Sequence, residues 1–161
     1  MRLWQYLASA VWSLTAGVAT ADAVHGEWVT QGHSGRVLIR GCDNAPEKLC
    51  GAIVWLWEPV DKQGRPVMDV HNPSLARRST PLIGLQMLSD FTAGGKPNSW
   101  SGGSIYNPED GRSYAATLTL QTSDQLVVEG CVLFVCSRQV WRKLPPTCNP
   151  PSSSPTRKAT S

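Results

Sequence analysis

"NSWSGGSIYNPEDGRSYAATLTL", residues 98–120, decides how this chain is read. Two arms of β-branched, aromatic and small residues flank Asn107-Pro108-Glu109-Asp110-Gly111, where a turn opener is followed by an Asp-Gly closer. This is the pattern of a β-hairpin. Successive side chains alternate across a strand, so Tyr114, Ala116, Leu118 and Leu120 share an apolar face and Ser113, Ala115, Thr117 and Thr119 a more polar one. The first arm offers two candidate inward sets, Trp100, Gly102, Ser104 and Tyr106 or Ser101, Gly103 and Ile105. Its adjacent glycines mark a bend or a close backbone approach.

Outward from this hairpin, strand-like segments bounded by Gly, Pro, Asn or Asp fall at about 26–31, 35–41, 50–58, 82–91, 98–106, 112–120, 125–131 and 136–144. No segment keeps a helical apolar period beyond two turns. The body is therefore all-β. Eight short strands joined by tight turns suit an antiparallel up-and-down barrel, wide enough to be filled by side chains or to hold one small ligand, with a β-sandwich as the competing architecture. The one long connection, Pro59 to Pro81, is polar and long enough to cap a barrel end. In "CGAIVWLWE", Ile53, Trp55 and Trp57 share one face and Ala52, Val54 and Leu56 the other, so both faces need cover. Either the strand is buried on both sides, or one face lines a cavity and the other packs under the long connection.

The ends read differently. Arg2, an apolar stretch from Leu3 to Ala19 and the small-x-small triplet Ala21-Asp22-Ala23 form a secretory signal pattern over residues 1–23, with cleavage expected after Ala23. Gln5, Tyr6, Ser9 and Ser13 interrupt a stretch already short for a membrane span, so no stable membrane insertion is expected after cleavage. The expected location is the periplasm or the outside of the cell. From Leu144 to Ser161 the chain is Pro- and Ser-rich with little to bury and reads as a disordered tail, leaving residues 24–143 as the folded domain. That domain carries 12 Lys and Arg against 11 Asp and Glu, which supplies no basic stripe for nucleic acid. The sequence sets no oligomeric state.

All five cysteines lie beyond the signal, in a chain expected to meet an oxidising compartment. The local spacings predict bridges Cys42–Cys50 and Cys131–Cys136: the first pair flanks a turn-like stretch, and the second is five apart, too far for a bridge along a straight strand. If the second pair is bridged, the chain reverses between them and Val132, Leu133, Phe134 and Val135 occupy a turn tip, an odd place for four apolar residues unless something covers them. Cys148 is left free in the tail. Neither pair has close zinc spacing, and His25, His33 and His71 are scattered, so no metal or other cofactor is expected.

Together, "GEW" at 26–28, "CGAIVWLW" at 50–57, "MDVHNP" at 68–73, "TPLIGLQML" at 80–88, "WSGGSIYNPEDGRSY" at 100–114 and "GCVLFVCSRQVW" at 130–141 resemble the secreted bacterial family known as domain of unknown function 2147, over about residues 25–143. The resemblance implies a lipocalin-like barrel with a small apolar cavity. Gly26-Glu27-Trp28 is similar to the Gly-x-Trp that opens such barrels, where the indole plugs the closed end and a guanidinium of the last strand stacks on it, which here leaves Arg138 and Arg142 as candidates.

The chemistry-bearing motifs are sparse. "GGSIY" around Ser104 lacks the glycine pattern and the strand-to-helix turn of a nucleophile elbow. Asp69 and His71 would share a face if extended and could pair as a base with its orienter, but Asp and Asn in such a loop more often bond their own backbone. Arg77-Arg78 could meet an acidic headgroup, though a solvated loop edge is the plainer reading. The expectation is a non-catalytic binder of a small apolar or amphipathic ligand, with Trp55, Trp57, Trp100, Tyr106, Tyr114 and Leu118 as the candidate lining. The alternative is a cell-envelope interaction module whose barrel core is filled.

Overall fold

The computed structural model describes residues 23–145. Eight antiparallel strands follow one another around a closed barrel: β1 (Gly26–Val29), β2 (Gly35–Cys42), β3 (Ala45–Leu56), β4 (Gln86–Ala93), β5 (Ser99–Asn107), β6 (Arg112–Thr122), β7 (Gln125–Val132) and β8 (Val135–Lys143). Each strand pairs with the next, and β8 returns to β1 through Trp28↔Lys143 and Val29↔Arg142. Closure removes the free edges that an open sheet of this sequence would expose. One 3-10 turn, Leu75–Arg77, interrupts the long β3–β4 connection. The signal pattern before Ala23 and most of the Pro/Ser-rich tail, with Cys148, lie outside the described residues.

Up-and-down order places the β1–β2, β3–β4, β5–β6 and β7–β8 connections at one end of the barrel and the β2–β3, β4–β5 and β6–β7 turns at the other. The second end is plugged. Trp28, Trp141, Phe91, Leu88, Leu118 and Leu126 are fully buried, and Trp100 joins them. Trp28 donates its indole N–H to the Val24 carbonyl at 2.8 Å, which satisfies the one polar group its burial would otherwise strand. Gly26 sits at φ +122°, where a side chain is disfavoured, and a Cβ there would lie 3.3 Å from Cε of Lys143. Room for the plug is also made in β5, where a Cβ on Gly103 would stand 2.5 Å from the Phe91 ring.

Both expected bridges are formed, Cys42–Cys50 across the β2–β3 turn and Cys131–Cys136 across the β7–β8 turn. The second is possible because the chain does reverse: Cys131 pairs with Cys136 and Val132 with Val135, leaving Leu133 and Phe134 as the turn.

Two register shifts change which residues face inward. Between Arg36 and Val37 the pairing jumps from Trp55 to Ile53, so Val54 is an extra residue in β3. Ile53 and Leu56 thus face the interior, while Trp55 and Trp57 turn outward: Arg36 lies 4.7 Å from the Trp55 ring centroid, and the two indoles meet edge to face at 6.2 Å. In β5 a shift between Trp100 and Gly103 joins the two candidate sets, so the inward residues are Trp100, Gly103 and Ile105. The second arm alternates as its sequence indicates, with Ala116, Leu118 and Leu120 buried.

Candidate functional site

Above the plug the barrel is hollow. A cavity of about 590 Å³ opens at the end that carries the long connection. Its apolar wall is built by Val37, Ile53, Leu56, Ile105 and Val128, placed inward by strand alternation or by the β3 bulge, and by Met87, the extra residue of a shift in β4 between Gln86 and Leu88. Facing them, Thr30, Gln31 and Ser34 of the β1–β2 turn and Ser137 and Gln139 of β8 supply hydroxyls and amides, and Glu109 a charge, while Arg36 borders the lining with its guanidinium over Trp55 outside the barrel. Gln31 and Gln139 are already engaged, the first accepting from the Val140 backbone N–H at 3.0 Å and the second from the Trp141 indole N–H at 2.9 Å. A shallower depression of about 470 Å³ adjoins the mouth through Ser34, Leu56 and Leu82 and includes Trp57.

Of the six residues expected to line a cavity, Tyr114 does. Trp100 and Leu118 are part of the solid plug below it. Trp55 stands outside the barrel against Arg36, and Trp57, 71% exposed, reaches only the outer depression. Tyr106 points away from the interior toward the long connection. For Trp55 and Tyr106 the reason is a bulge in each strand that moves the inward face by one residue, whereas Trp100 and Leu118 do face inward but at the filled end. The actual lining residues carry a weaker signal, because Met87, Ile105 and Val128 look like any core residue.

The cation expected on Trp28 is also different. Lys143 Nζ lies 5.4 Å from the Trp28 ring centroid and donates to the Ala23 carbonyl at 2.7 Å. Arg142 instead reaches Gln125 at 3.5 Å and Asp124 at 3.9 Å on the outer surface, and Arg138 pairs across the ladder with Glu129. Parity forces this. Trp141 is buried, so β8 sends 139, 141 and 143 inward and 138, 140 and 142 outward.

The "MDVHNP" and "YNPEDG" segments singled out in the sequence meet at the rim. Asp69 is fully buried and accepts from the Tyr106 hydroxyl at 2.8 Å and from Nδ2 of Asn72 at 2.6 Å. Burial, and then the hydrogen bond to Asp69, push the Tyr106 hydroxyl up to about 12. Gly111, at φ +69°, presses on the His71 carbonyl so closely that a Cβ would sit 1.9 Å from the oxygen, and His71 Nδ1 lies 3.4 Å from the Pro108 carbonyl. Arg78 donates from Nε to the Asn72 carbonyl at 2.8 Å. Asp69 and His71 are therefore turned to different partners, and the pair latches the long connection to the β5–β6 turn. Nearby, Tyr114 donates a short hydrogen bond to Asp110, which raises the phenol and lowers the carboxyl. Glu129 lies close to the sulfurs of Cys131 and Cys136, but those two are bonded to each other and are not thiolate ligands.

Among solved structures, this chain is similar to one described as protein HP1028 from the human pathogen Helicobacter pylori, belonging to the lipocalin family, with a TM-score of 0.64 and 21% identity over 76% of this chain and 84% of that one. At that identity the likeness speaks to the fold, which is lipocalin-like. A search of curated proteins finds no match. The model of the family described as "Uncharacterized protein conserved in bacteria (DUF2147)" matches residues 26–143, from the glycine that admits Lys143 over Trp28 to that lysine itself, and the chain belongs to this family.

Proposed function

We propose that the protein is an exported, non-catalytic carrier that binds one small apolar or amphipathic molecule in the open-end cavity. The observation that carries this reading is the division of the interior: aromatic and aliphatic side chains fill the closed half, while about 590 Å³ above them is left open between an apolar wall and a rim of hydroxyls and amides. Preformed apolar pockets with a few polar groups at one side are the usual form of small-molecule sites. The one-sided polarity favours an amphipathic guest, with its apolar end against Ile53, Ile105 and Val128 and its polar end near Ser137 and Thr30. Binding without catalysis is supported by the separation of Asp69 from His71 and by Ser104, which pairs with Ser89 and Ala115 on the outer face of the sheet. Export is supported by the two disulfides, which form and persist in oxidising compartments.

Titration with an environment-sensitive apolar dye, followed by displacement with a fatty-acid and monoacylglycerol series, tests the reading. Saturable one-site binding is expected, lost in Ser137→Trp, whose indole would enter the cavity from β8 without touching the plug. Absence of saturable binding by the delipidated folded protein, or wild-type binding by Ser137→Trp, would overturn it.

A further inference from the structure

The large hydrophobic side chains left exposed among the described residues come from two segments joined to the open end. Trp57, Val60, Val70, Leu75 and Ile83 lie between β3 and β4, and Val132 to Val135 close the β7–β8 hairpin. The hairpin tip is the extreme case, with Leu133 90% and Phe134 97% exposed. It is also held in shape: Cys131–Cys136 and the Val132↔Val135 pair clamp it from below, and residues 130–137 contain no charge. Leu133 has φ +52°, a turn position where glycine is the ordinary occupant and a leucine is strained. Strain kept at a non-glycine residue directs attention to what its side chain does.

We infer that the Val132–Val135 tip is a wedge that docks the open end on a lipid bilayer, inserting Leu133 and Phe134 at the boundary of headgroups and acyl chains. The shape selects the occupant. Side chains that protrude almost fully suit a fluid that closes around them, whereas a folded partner would need a preformed socket. Trp57, 71% exposed at the same end, is of the residue type that settles at membrane interfaces. The charge pattern selects the mode of attachment. The tip is uncharged, Arg138 behind it faces Glu129, and the domain is nearly neutral, so docking rests on apolar burial and not on attraction to anionic lipid. Val132 and Val135 belong both to the base of the tip and to the cavity wall, which turns the mouth toward the bilayer. Only the further step, exchange of a guest between bilayer and cavity, rests on the proposed carrier function.

Vesicle flotation tests the docking, using phosphatidylcholine vesicles and phosphatidylcholine vesicles doped with phosphatidylglycerol, with and without about 0.5 M salt. The protein is expected to float equally with both, unaffected by salt. The double variant Leu133→Gly, Phe134→Ser is expected to bind at least about tenfold more weakly, since it removes the two most exposed apolar groups. Glycine suits the backbone at 133, so the variant is expected to melt no lower than wild type, and neither residue lines the cavity, so its dye binding in solution is expected to be unchanged. The inference is overturned if wild type does not float, if the variant floats as well, if flotation needs phosphatidylglycerol and vanishes with salt, or if sedimentation velocity shows tip-dependent self-association in place of vesicle binding. Flotation with the tip dependence described, in a protein that fails to bind dye, upholds the docking and sinks only the carrier reading.

Discussion

Single residues at the two ends of the barrel do different work. Tyr106 is outside the cavity, yet its hydroxyl is one of the two side-chain donors to the fully buried Asp69 carboxylate, and removing it leaves that carboxylate short of a partner. Tyr106→Phe is expected to cost about 1–3 kcal/mol at neutral pH, measured by urea unfolding. The same bond sets an alkaline limit. The hydroxyl holds its proton more tightly folded than unfolded, so its contribution is whole below pH 10.0 and is lost as pH rises toward about 12. Tyr106→Phe is expected to flatten that part of the stability curve, and an unchanged alkaline transition would remove Tyr106 as its cause. At the plug, Lys143→Met is expected to cost about 1–2 kcal/mol through the lost contact with Trp28 and the lost bond to Ala23, while Arg138→Met is expected to stay within about 0.5 kcal/mol. The lysine was legible in the sequence. Trp141 is the apolar anchor of the last strand, and the residue two further on must share its face; Arg138 and Arg142 share the opposite one.

At the scale of elements, the plug and the hollow predict opposite responses to added volume. Leu118 is fully buried in the core cluster, opposite Trp100 across the β5–β6 ladder, so Leu118→Trp overpacks the closed half and is expected to destabilise by about 1–3 kcal/mol, whereas Ser137→Trp fills open space and is expected to leave thermal unfolding nearly unchanged. Equal losses would mean that the division of the interior is wrong. Loss of the Cys42–Cys50 bridge, tested as Cys42→Ser with Cys50→Ser, is expected to cost about 2–3 kcal/mol for its short loop. The number of strands and the β6 face were readable from turn residues and alternation, because those signals are local, although β3 begins at Ala45 rather than near 50 and β4 at Gln86 rather than near 82. The inward faces of β3 and β5 were not. Val54 and the Trp100–Gly103 shift add residues that no periodicity announces, and each reverses the face of the strand positions beyond it. That is why Trp55 and Trp57, the most conspicuous residues of the chain's most apolar run, ended outside the barrel.

For the whole molecule, the number of strands and tight turns favoured a barrel over a sandwich, which closure through β1 and β8 decides, but the location of the cavity was not legible, because it depends on which end the large side chains fill. That end was decided by contacts far apart in sequence, Trp28 with Lys143 and Phe91 with Gly103. The same closed end bears on where the chain would be cut under the proposed export. On sequence alone the triplet Ala21-Asp22-Ala23 is the expected cleavage signal, with the cut after Ala23, yet Val24 is fully buried, its carbonyl accepts the Trp28 indole N–H, and the Ala23 carbonyl accepts from Lys143. A cut there would remove the acceptor of Lys143 and leave an α-ammonium on a buried residue beside that cation. Burying an unpaired ammonium costs several kcal/mol, about as much as the whole margin of a small domain. Ala19-Thr20-Ala21 is an equally good small-x-small triplet two residues earlier. Cleavage after it keeps Asp22 and Ala23, leaves the Lys143 bond intact and moves the new charge away from Val24. If the protein is exported as proposed, its expected first residue is therefore Asp22, and intact-mass measurement of the secreted or periplasmic fraction reads it directly. A mature chain beginning at Val24 with unreduced stability would show that the Ala23–Lys143 bond contributes nothing to the plug.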